Sequence, residues 1–147
     1  MQTADARRVD PFKNFRFKVE IHGMIQAGFS ECSGLSSKVA AIEYREGGDH
    51  KRVYKLPGQT SYSDITLKWG LTNSNELYDW HIKAFNGHVD RKNGSVVILG
   101  DDEEEVARWD FTQAWPTSWT GPTLNAKDNM VAIETLVLVC ETIIRSK

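Results

Sequence analysis

Apolar and polar residues alternate along several short stretches of the chain. In Phe15–Ile21 and in Asp64–Trp69 every second residue is apolar, which is the period of a half-buried strand. Val39–Arg45 predicts a further strand, in which Ile42 and Tyr44 are the better core pair. Each of these strands therefore presents one apolar face and one polar face.

Turn signals connect some of these strands. Gly23 can supply the backbone angles of a tight turn, so Ile25–Glu31 is predicted to return as the hairpin partner of the first strand. Ser95–Leu99 and Val106–Phe111 flank the acidic run Asp101–Glu105 and predict a second hairpin with a charged turn.

The remaining elements are a strand, a helix and a loop. Met130–Ile144 is rich in Val, Ile, Leu and Thr and predicts a long strand, broken by a bulge. Asn73 is a candidate helix cap with Glu76 three positions on, and Gly87 a candidate stop. The polar stretch Glu46–Ser63 predicts a long loop of the functional or disordered kind. The pattern totals about seven strands and one helix.

Composition and charge favour one ordinary domain over residues 1–147. The formal net charge of -2 and the pI near 6.1 leave no basic excess for tight nucleic-acid binding. No apolar run is long enough for a membrane helix, and Met1–Asp10 lacks the apolar core of a secretory signal. We therefore expect folding in the cytoplasm, no membrane partner, and reduced, mostly buried thiols at Cys32 and Cys140.

Recognised catalytic and cofactor motifs are missing from the sequence. It has no GxSxG, HExxH, GxxxxGK[ST] or helix-opening GxGxxG pattern. His81 and His88 lack neighbours at zinc-ligand spacing, and the acidic run Asp101–Glu105 lacks the glycine of a calcium loop. We predict no cofactor, no metal site and no enzymatic activity.

Tryptophans are concentrated in one segment. Trp109, Trp115 and Trp119 lie there with Pro116. Such aromatics could cradle a sugar or peptide, or they could be anchors buried between subunits. The residues alone leave both interpretations open.

Several blocks in order resemble the phage tail-tube family typified by the T4-like tube protein. They are Asp10–Phe15, Gly28–Glu31, Ser33–Leu35, Ile42–Gly48, Lys55–Gly58, Ile65–Gly70, Trp109, Ala114–Pro116, Gly121–Pro122, Leu124–Ala126 and Val131–Leu136. The resemblance implies an antiparallel β barrel or sandwich of about seven strands with one flanking helix. It also implies a structural subunit whose hexameric rings stack into a hollow tube for DNA or protein cargo. The implied partners are a surrounding sheath, a baseplate and a terminator, in a virion tail or an injection particle.

Site residues follow from the resemblance and from strand alternation. The resemblance assigns the 46–63 loop to contacts between rings, through Arg45, Gly47, Gly48, Asp49, Lys55, Leu56, Pro57 and Gly58. Alternation assigns the bore to Glu43, Arg45, Asp64, Thr66 and Lys68, and subunit packing is assigned to Trp109, Trp115, Pro116 and Trp119. The alternatives are a type VI secretion ring protein and a monomeric β-sandwich module that binds through the Trp109–Trp119 segment.

Overall fold

The described part of the chain is mainly β with one helix, as predicted. The computed structural model describes residues 16–24, 28–48, 51–127 and 129–147. The elements within these ranges are β1 (Phe17–Ile21), β2 (Phe29–Ser33), β3 (Ser37–Tyr44), β4 (Tyr54–Tyr62), β5 (Ile65–Gly70), α1 (Glu76–Phe85), β6 (Lys92–Leu99), β7 (Glu105–Thr120), β8 (Ile133–Val139) and β9 (Thr142–Arg145). All strand pairings are antiparallel.

Strand β7 organises the main sheet. The sheet has seven strands in the order β1-β6-β7-β8-β5-β2, with β9 also paired to β7. The first part of β7 pairs with β6 and β9, and residues 115–120 pair with β8. Between these parts Gln113 adopts a positive φ of 53°, and its N–H donates to Asn93 Oδ1 at 3.0 Å. This irregularity lets one strand pass from the β1-β6-β9 side of the core to the β8-β5-β2 side.

The core lies between these two sides and the helix. Alternate residues of β5 and β8 are buried, and Leu77 and Trp80 of α1 join them. Each large aliphatic side chain buried in this way contributes about 1.5–3 kcal/mol. Trp80 donates its indole N–H to Asp90 O at 2.6 Å, so its polar atom is satisfied. Within the described ranges no helix is long and apolar enough to cross a membrane.

The predicted hairpin between the first two strands is wrong. Gly23 does turn the chain, with φ +77°, but β1 pairs with β6 and β2 pairs with β5. Phe29 of β2 packs edge-on against Trp69 of β5, with ring centroids 6.0 Å apart. A turn signal predicts that the chain reverses direction. The strand with which each strand pairs depends instead on which apolar faces can be buried together. Residues 25–27 lie outside the described ranges.

The predicted loop Glu46–Ser63 is also wrong over half of its length. Residues Tyr54–Tyr62 form β4, which pairs with β3 as a separate two-stranded sheet. The residues Pro57 and Gly58 disfavour a strand, and the pairing register shifts between Val39 and Ala41. Apart from Tyr62 at its end, which packs against the core, β4 is exposed on both faces, so the alternation that indicates a strand is weak there.

Ile42 and Tyr44 are not the core pair that alternation predicted. Ile42 is 53% exposed and Tyr44 49% exposed, because β3 belongs to the two-stranded sheet that stands away from the core. The alternation along β3 is real, but the surface that would cover its apolar face is not supplied by the described part of this chain.

The sequence predicted the C-terminal end of the helix correctly but not its N-terminal end. Asn75, not Asn73, precedes the helix, and its side chain makes no capping hydrogen bond. At the other end the N–H groups of Gly87 and His88 donate to Ala84 O and Lys83 O at 3.1 and 2.8 Å. With Gly87 at φ +89°, this is a Schellman ending, which confirms the predicted glycine stop.

The predicted long strand Met130–Ile144 is divided in two. β8 and β9 are separated at Cys140 and Glu141, and both pair with β7 at different positions. The break falls beside the irregularity of β7 at Gln113, and Thr142 Oγ1 and Thr112 Oγ1 lie 2.6 Å apart just beyond it. The bend of β7 therefore forces its partner to bend as well.

Cys32 is expected to react very slowly with thiol reagents. Both cysteines are free and half-buried, and burial, with Glu31 nearby, raises the pKa of Cys32 to about 11. At pH 8 only about one thiol in a thousand is then the reactive thiolate. Absorbance with a disulfide-exchange reagent should show a rate that rises sharply on denaturation. Fast labelling of the native protein at pH 8 would contradict this.

Candidate assembly surfaces

The hairpin formed by β3 and β4 carries an apolar face that no described part of the chain covers. Ile42 is opposite Leu56, and Tyr44 is opposite Tyr54, so these four side chains share one face, here called the hairpin apolar face. Ile42 lies against Gly58, where an added Cβ would be only 2.8 Å from the Ile42 side chain. An isolated two-stranded hairpin is marginally stable in water. The described residues therefore leave an apolar surface exposed on a hairpin that has little stability of its own.

The predicted inter-ring residues lie along this hairpin. Arg45, Gly47 and Gly48 follow β3, and Lys55–Gly58 lie within β4, where Lys55 is opposite Glu43 and Pro57 is opposite Ala41. Asp49 lies outside the described ranges. The structure brings these residues together on one projecting element, but whether they contact another ring stays a prediction.

The hairpin is joined to the main sheet by a narrow neck. Ser36 Oγ and Ser63 Oγ lie 2.6 Å apart, and the Ser63 N–H donates to Ser36 O at 3.2 Å. Gly34 adopts φ +95°, and a Cβ at this position would lie 1.9 Å from Asp64 O. The two neck segments are packed backbone against backbone, which fixes how the hairpin leaves the sheet.

The predicted bore residues fall on two separate sheets. Glu43 lies in β3, and Arg45 follows that strand. Asp64 directly precedes β5, and Thr66 and Lys68 lie on the face of β5 opposite the core. Lys68 Nζ pairs with Glu31 Oε2 at 3.0 Å. Around Thr66 and Lys68 the register sets a face of short polar residues, here called the serine-threonine face: Ser33, Ser118, Thr120 and Thr135, with Val137 among them.

The tryptophan segment lies within β7. Trp119 packs edge-on against Tyr78, with ring centroids 4.8 Å apart, and its indole N–H donates to Glu134 Oε1 at 3.3 Å. Trp109 packs against the core, with the Arg145 guanidinium 5.7 Å from its ring centroid. Trp115 is half-buried, and Pro116 is fully buried within the subunit. Trp109 and Trp119 thus have partners inside the chain, and their role between subunits stays a prediction.

A groove of about 440 Å³ with a mixed lining lies at the rim of the sheet. Its apolar residues Leu124, Met130 and Val131 are 80%, 83% and 72% exposed. Its polar lining includes Lys68, Thr120 and Thr135 of the serine-threonine face. This surface is here called the rim groove. Met130 and Val131 were assigned to the predicted strand Met130–Ile144, but β8 begins only at Ile133, and Leu124 belongs to no predicted element.

The β1-β6-β9 side of the subunit carries a charged network around Arg108 of β7. Its guanidinium contacts Glu105 at 2.9 Å, Asp110 at 3.0 Å and Glu20 at 3.5 Å. The hydrogen bond from Ser95 and the contacts with Arg108 hold the pKa of Asp110 below its usual value. The pKa of Glu20 is lowered mainly by its hydrogen bond to Lys18. This side is therefore polar, and these charged residues pair with one another within the subunit.

The fold and these surfaces define a class of protein. In the described part of the chain, the hairpin and the rim groove leave large apolar side chains exposed, which is typical of surfaces that contact other protein chains. The sequence profile of the T4-like virus tail tube protein gp19 family matches residues 13–144, and the chain belongs to that family. Membership in a tail tube family agrees with the prediction of a structural protein and not an enzyme.

Solved structures agree with this assignment. A chain of the PVC extracellular contractile injection system, from its sheath-tube complex in the extended state, is 28% identical, with 99% of this chain and 98% of that chain covered and a TM-score of 0.83. A chain from the cap of the anti-feeding prophage is 30% identical, with 98% and 97% covered and a TM-score of 0.83. No curated protein sequence matches significantly.

A type six secretion system protein shares the fold at a greater distance. It is 10% identical, with 89% of this chain and 82% of that chain covered and a TM-score of 0.56. At this identity the likeness describes the architecture alone.

Proposed function

We propose that the chain is the inner tube subunit of a contractile injection system or contractile phage tail, and that its hexameric rings stack into a hollow tube. Family membership and the likeness to the PVC and anti-feeding prophage chains support this proposal. A sheath would surround the tube, and a baseplate and a terminator would close its ends. The subunit would fold as a single domain in the cytoplasm and then become part of an extracellular particle or a virion.

The hairpin apolar face is the observation that carries the proposal. Four large side chains, Ile42, Tyr44, Tyr54 and Leu56, are each between 38% and 53% exposed on one face of a two-stranded sheet. A monomer gains nothing from such an element, since exposed apolar patches favour aggregation. In a polymer of identical subunits, a neighbouring copy can cover the hairpin apolar face of every subunit except those at the end of the polymer.

Free strand edges support ring closure. Residues 115–120 of β7, β8, β5 and β2 form a four-stranded half-sheet. Among the described residues, its two outer edges, at β2 and at residues 115–120, have no strand partner. An antiparallel set of four strands has edge strands of opposite direction, and rotation about an axis along the strands preserves direction. Neighbouring copies could therefore join β2 to residues 115–120 as an antiparallel pair.

The serine-threonine face of the same half-sheet suits a bore. If the half-sheets of a ring join edge to edge, one face of each turns inward, and the face opposite the core carries short hydroxyl side chains with the Lys68–Glu31 pair. Such a surface has no buried aromatic anchor to hold a passing molecule. Either DNA or protein cargo is compatible with it.

Electron microscopy tests the proposal directly. Purified protein should form rings or tubes in negative stain, and native mass spectrometry should give a hexameric mass. A protein that stays monomeric over wide ranges of concentration and salt would refute the tube function.

Labelling of assembled tubes should locate the bore. Thr66→Cys and Lys68→Cys are expected to react with a small maleimide but not with one too bulky to enter the tube, because both residues belong to the serine-threonine face. Val89→Cys, exposed just beyond the helix, is the matched external control. Rapid labelling of Thr66→Cys by the bulky reagent would show that this face is external.

The other two functions receive less support. The type six secretion protein shares the architecture at a TM-score of 0.56, compared with 0.83 for the PVC chain. A monomeric binding module would need tryptophans on an open surface, whereas Trp119 is held by Tyr78 and Glu134.

A further inference from the structure

We infer that Asn86 is a site of spontaneous deamidation in the native protein, whereas Asn93 is protected by its hydrogen bonds. Both asparagines are exposed, and each precedes a glycine, in Asn86-Gly87 and Asn93-Gly94. Asparagine is one of the thermolabile residues, and a glycine after it has no Cβ to hinder attack by its backbone nitrogen. Sequence and exposure therefore do not distinguish the two sites, but their local structures do.

The reaction needs only water and converts a neutral side chain into a charged one. The backbone nitrogen of the glycine loses its proton and attacks Cγ of the asparagine. The new N–Cγ bond closes a cyclic imide, and the Cγ–Nδ2 bond breaks as ammonia leaves. Water then opens the imide at either carbonyl and gives aspartate or isoaspartate. No electrons are exchanged, so no oxidant or reductant is required.

Asn86 lies where the helix ends. It is the C-cap of α1, with φ -89° and ψ 11°, and Gly87 follows at φ +89°. The N–H groups of Gly87 and His88 donate to Ala84 O and Lys83 O at 3.1 and 2.8 Å. Helix ends fray, so these bonds open locally without disturbing the core. A Cβ added at Gly87 would meet none of the described residues within 4 Å, so the imide has room to form.

Asn93 lies inside a paired strand. Its Oδ1 accepts the Gln113 N–H at 3.0 Å, and its main-chain O accepts the His22 N–H at 3.0 Å. A Cβ added at Gly94 would lie 2.5 Å from Glu20 O, so the backbone here is packed closely against β1. Ring closure at Asn93 would have to release these contacts and the bend of β7 at Gln113. Opening of paired core strands costs far more than fraying of a helix end.

The product changes the surface around Asn86. A carboxylate there places negative charge at the C-terminus of α1, where the helix dipole disfavours anions. Isoaspartate also inserts a methylene into the backbone at the Schellman ending. The exposed apolar residues Phe85 and Val89 flank this position. Stored protein should therefore accumulate a more acidic form whose helix ending is altered.

Peptide mapping tests the inference within one chain. Trypsin releases Asn86 in Ala84–Arg91 and Asn93 in Asn93–Arg108, and neither peptide contains another amide side chain. Native protein and protein unfolded in guanidinium are incubated at about pH 8 and about 37 °C, and mass spectrometry follows conversion of the amide to the acid in each peptide. The two sites should react at similar rates in the unfolded chain. In the native protein Asn86 should react at least about tenfold faster than Asn93.

Asn86→Gln is the matched control, because it keeps an amide at this exposed position but must close a larger ring, which forms much more slowly. The acidic form of the intact protein on isoelectric focusing should disappear in this variant, with conversion at Asn93 unchanged. The rate at Asn86 should also rise steeply from about pH 7 to about pH 9, since the attacking nitrogen must lose its proton.

Three results would count against the inference. Native Asn86 that reacts as slowly as Asn93 would show that the helix ending protects it. An acidic form that persists in Asn86→Gln would place the reaction elsewhere in the chain. Native Asn93 that reacts as fast as in the unfolded chain would show that its hydrogen bonds give no protection.

Discussion

Removal of the β3–β4 hairpin should leave a folded subunit that cannot build tubes. Lys38 and Ser61 are paired in register, so an Asn-Gly turn can connect them in place of residues 39–60. The unfolding temperature should change by only a few degrees, because β3 and β4 contribute no residue to the buried core. Tube length in negative stain should fall to single rings or less.

The comparison that decides this prediction uses a hairpin of unchanged length. Gln59→Ser changes an exposed polar residue of β4 that belongs neither to the hairpin apolar face nor to the predicted inter-ring residues. This variant should still build tubes, since a substitution at an exposed polar position changes little. Long tubes from the deletion variant would show that stacking is carried elsewhere, and an unfolded deletion variant would show that the hairpin supports the core.

Gly34→Ala should be among the most destabilising single substitutions in the chain. Alanine at φ +95° is strained, and its Cβ would lie 1.9 Å from Asp64 O, a backbone atom that can move only if the neck opens. We expect a loss of more than about 3 kcal/mol in the free energy of unfolding, measured by urea titration.

Gly28→Ala separates the two contributions. Gly28 has a similar φ of +81°, but an added Cβ would meet none of the described residues within 4 Å. Its substitution should cost about 1–2 kcal/mol, the cost of the left-handed conformation alone. Equal losses in the two variants would mean that the neck relaxes without cost and that the close approach to Asp64 does not hold the hairpin in place.

The sequence predicted the strands that have one buried face. Alternation placed β5 nearly to the residue, because Ile65, Leu67 and Trp69 are all buried while the residues between them are not. It failed for β4, which has no buried face and contains Pro57 and Gly58. Pairing partners were also missed, since β1 finds β6 far along the chain and local turn chemistry carries no information about that choice.

The sequence predicted one of the candidate surfaces in part and missed the other. The resemblance drew attention to residues 46–63, and the structure places the described ones on a projecting hairpin. Ile42 and Tyr44 were assigned to a core because an apolar face needs cover, and the sequence does not reveal that the described subunit lacks that cover. The rim groove was missed because Met130 and Val131 were assigned to the predicted strand Met130–Ile144, whereas the structure leaves them outside β8 and exposed.

The continuity of β7 has a mechanical consequence. One strand of sixteen residues takes part in both sides of the core, so a load applied to either side is passed to the other along covalent bonds. The hydrogen bonds that flank this strand are then loaded in parallel, in shear, and share the force. A tube wall made of such subunits would resist axial thrust without relying on the packing between its two layers.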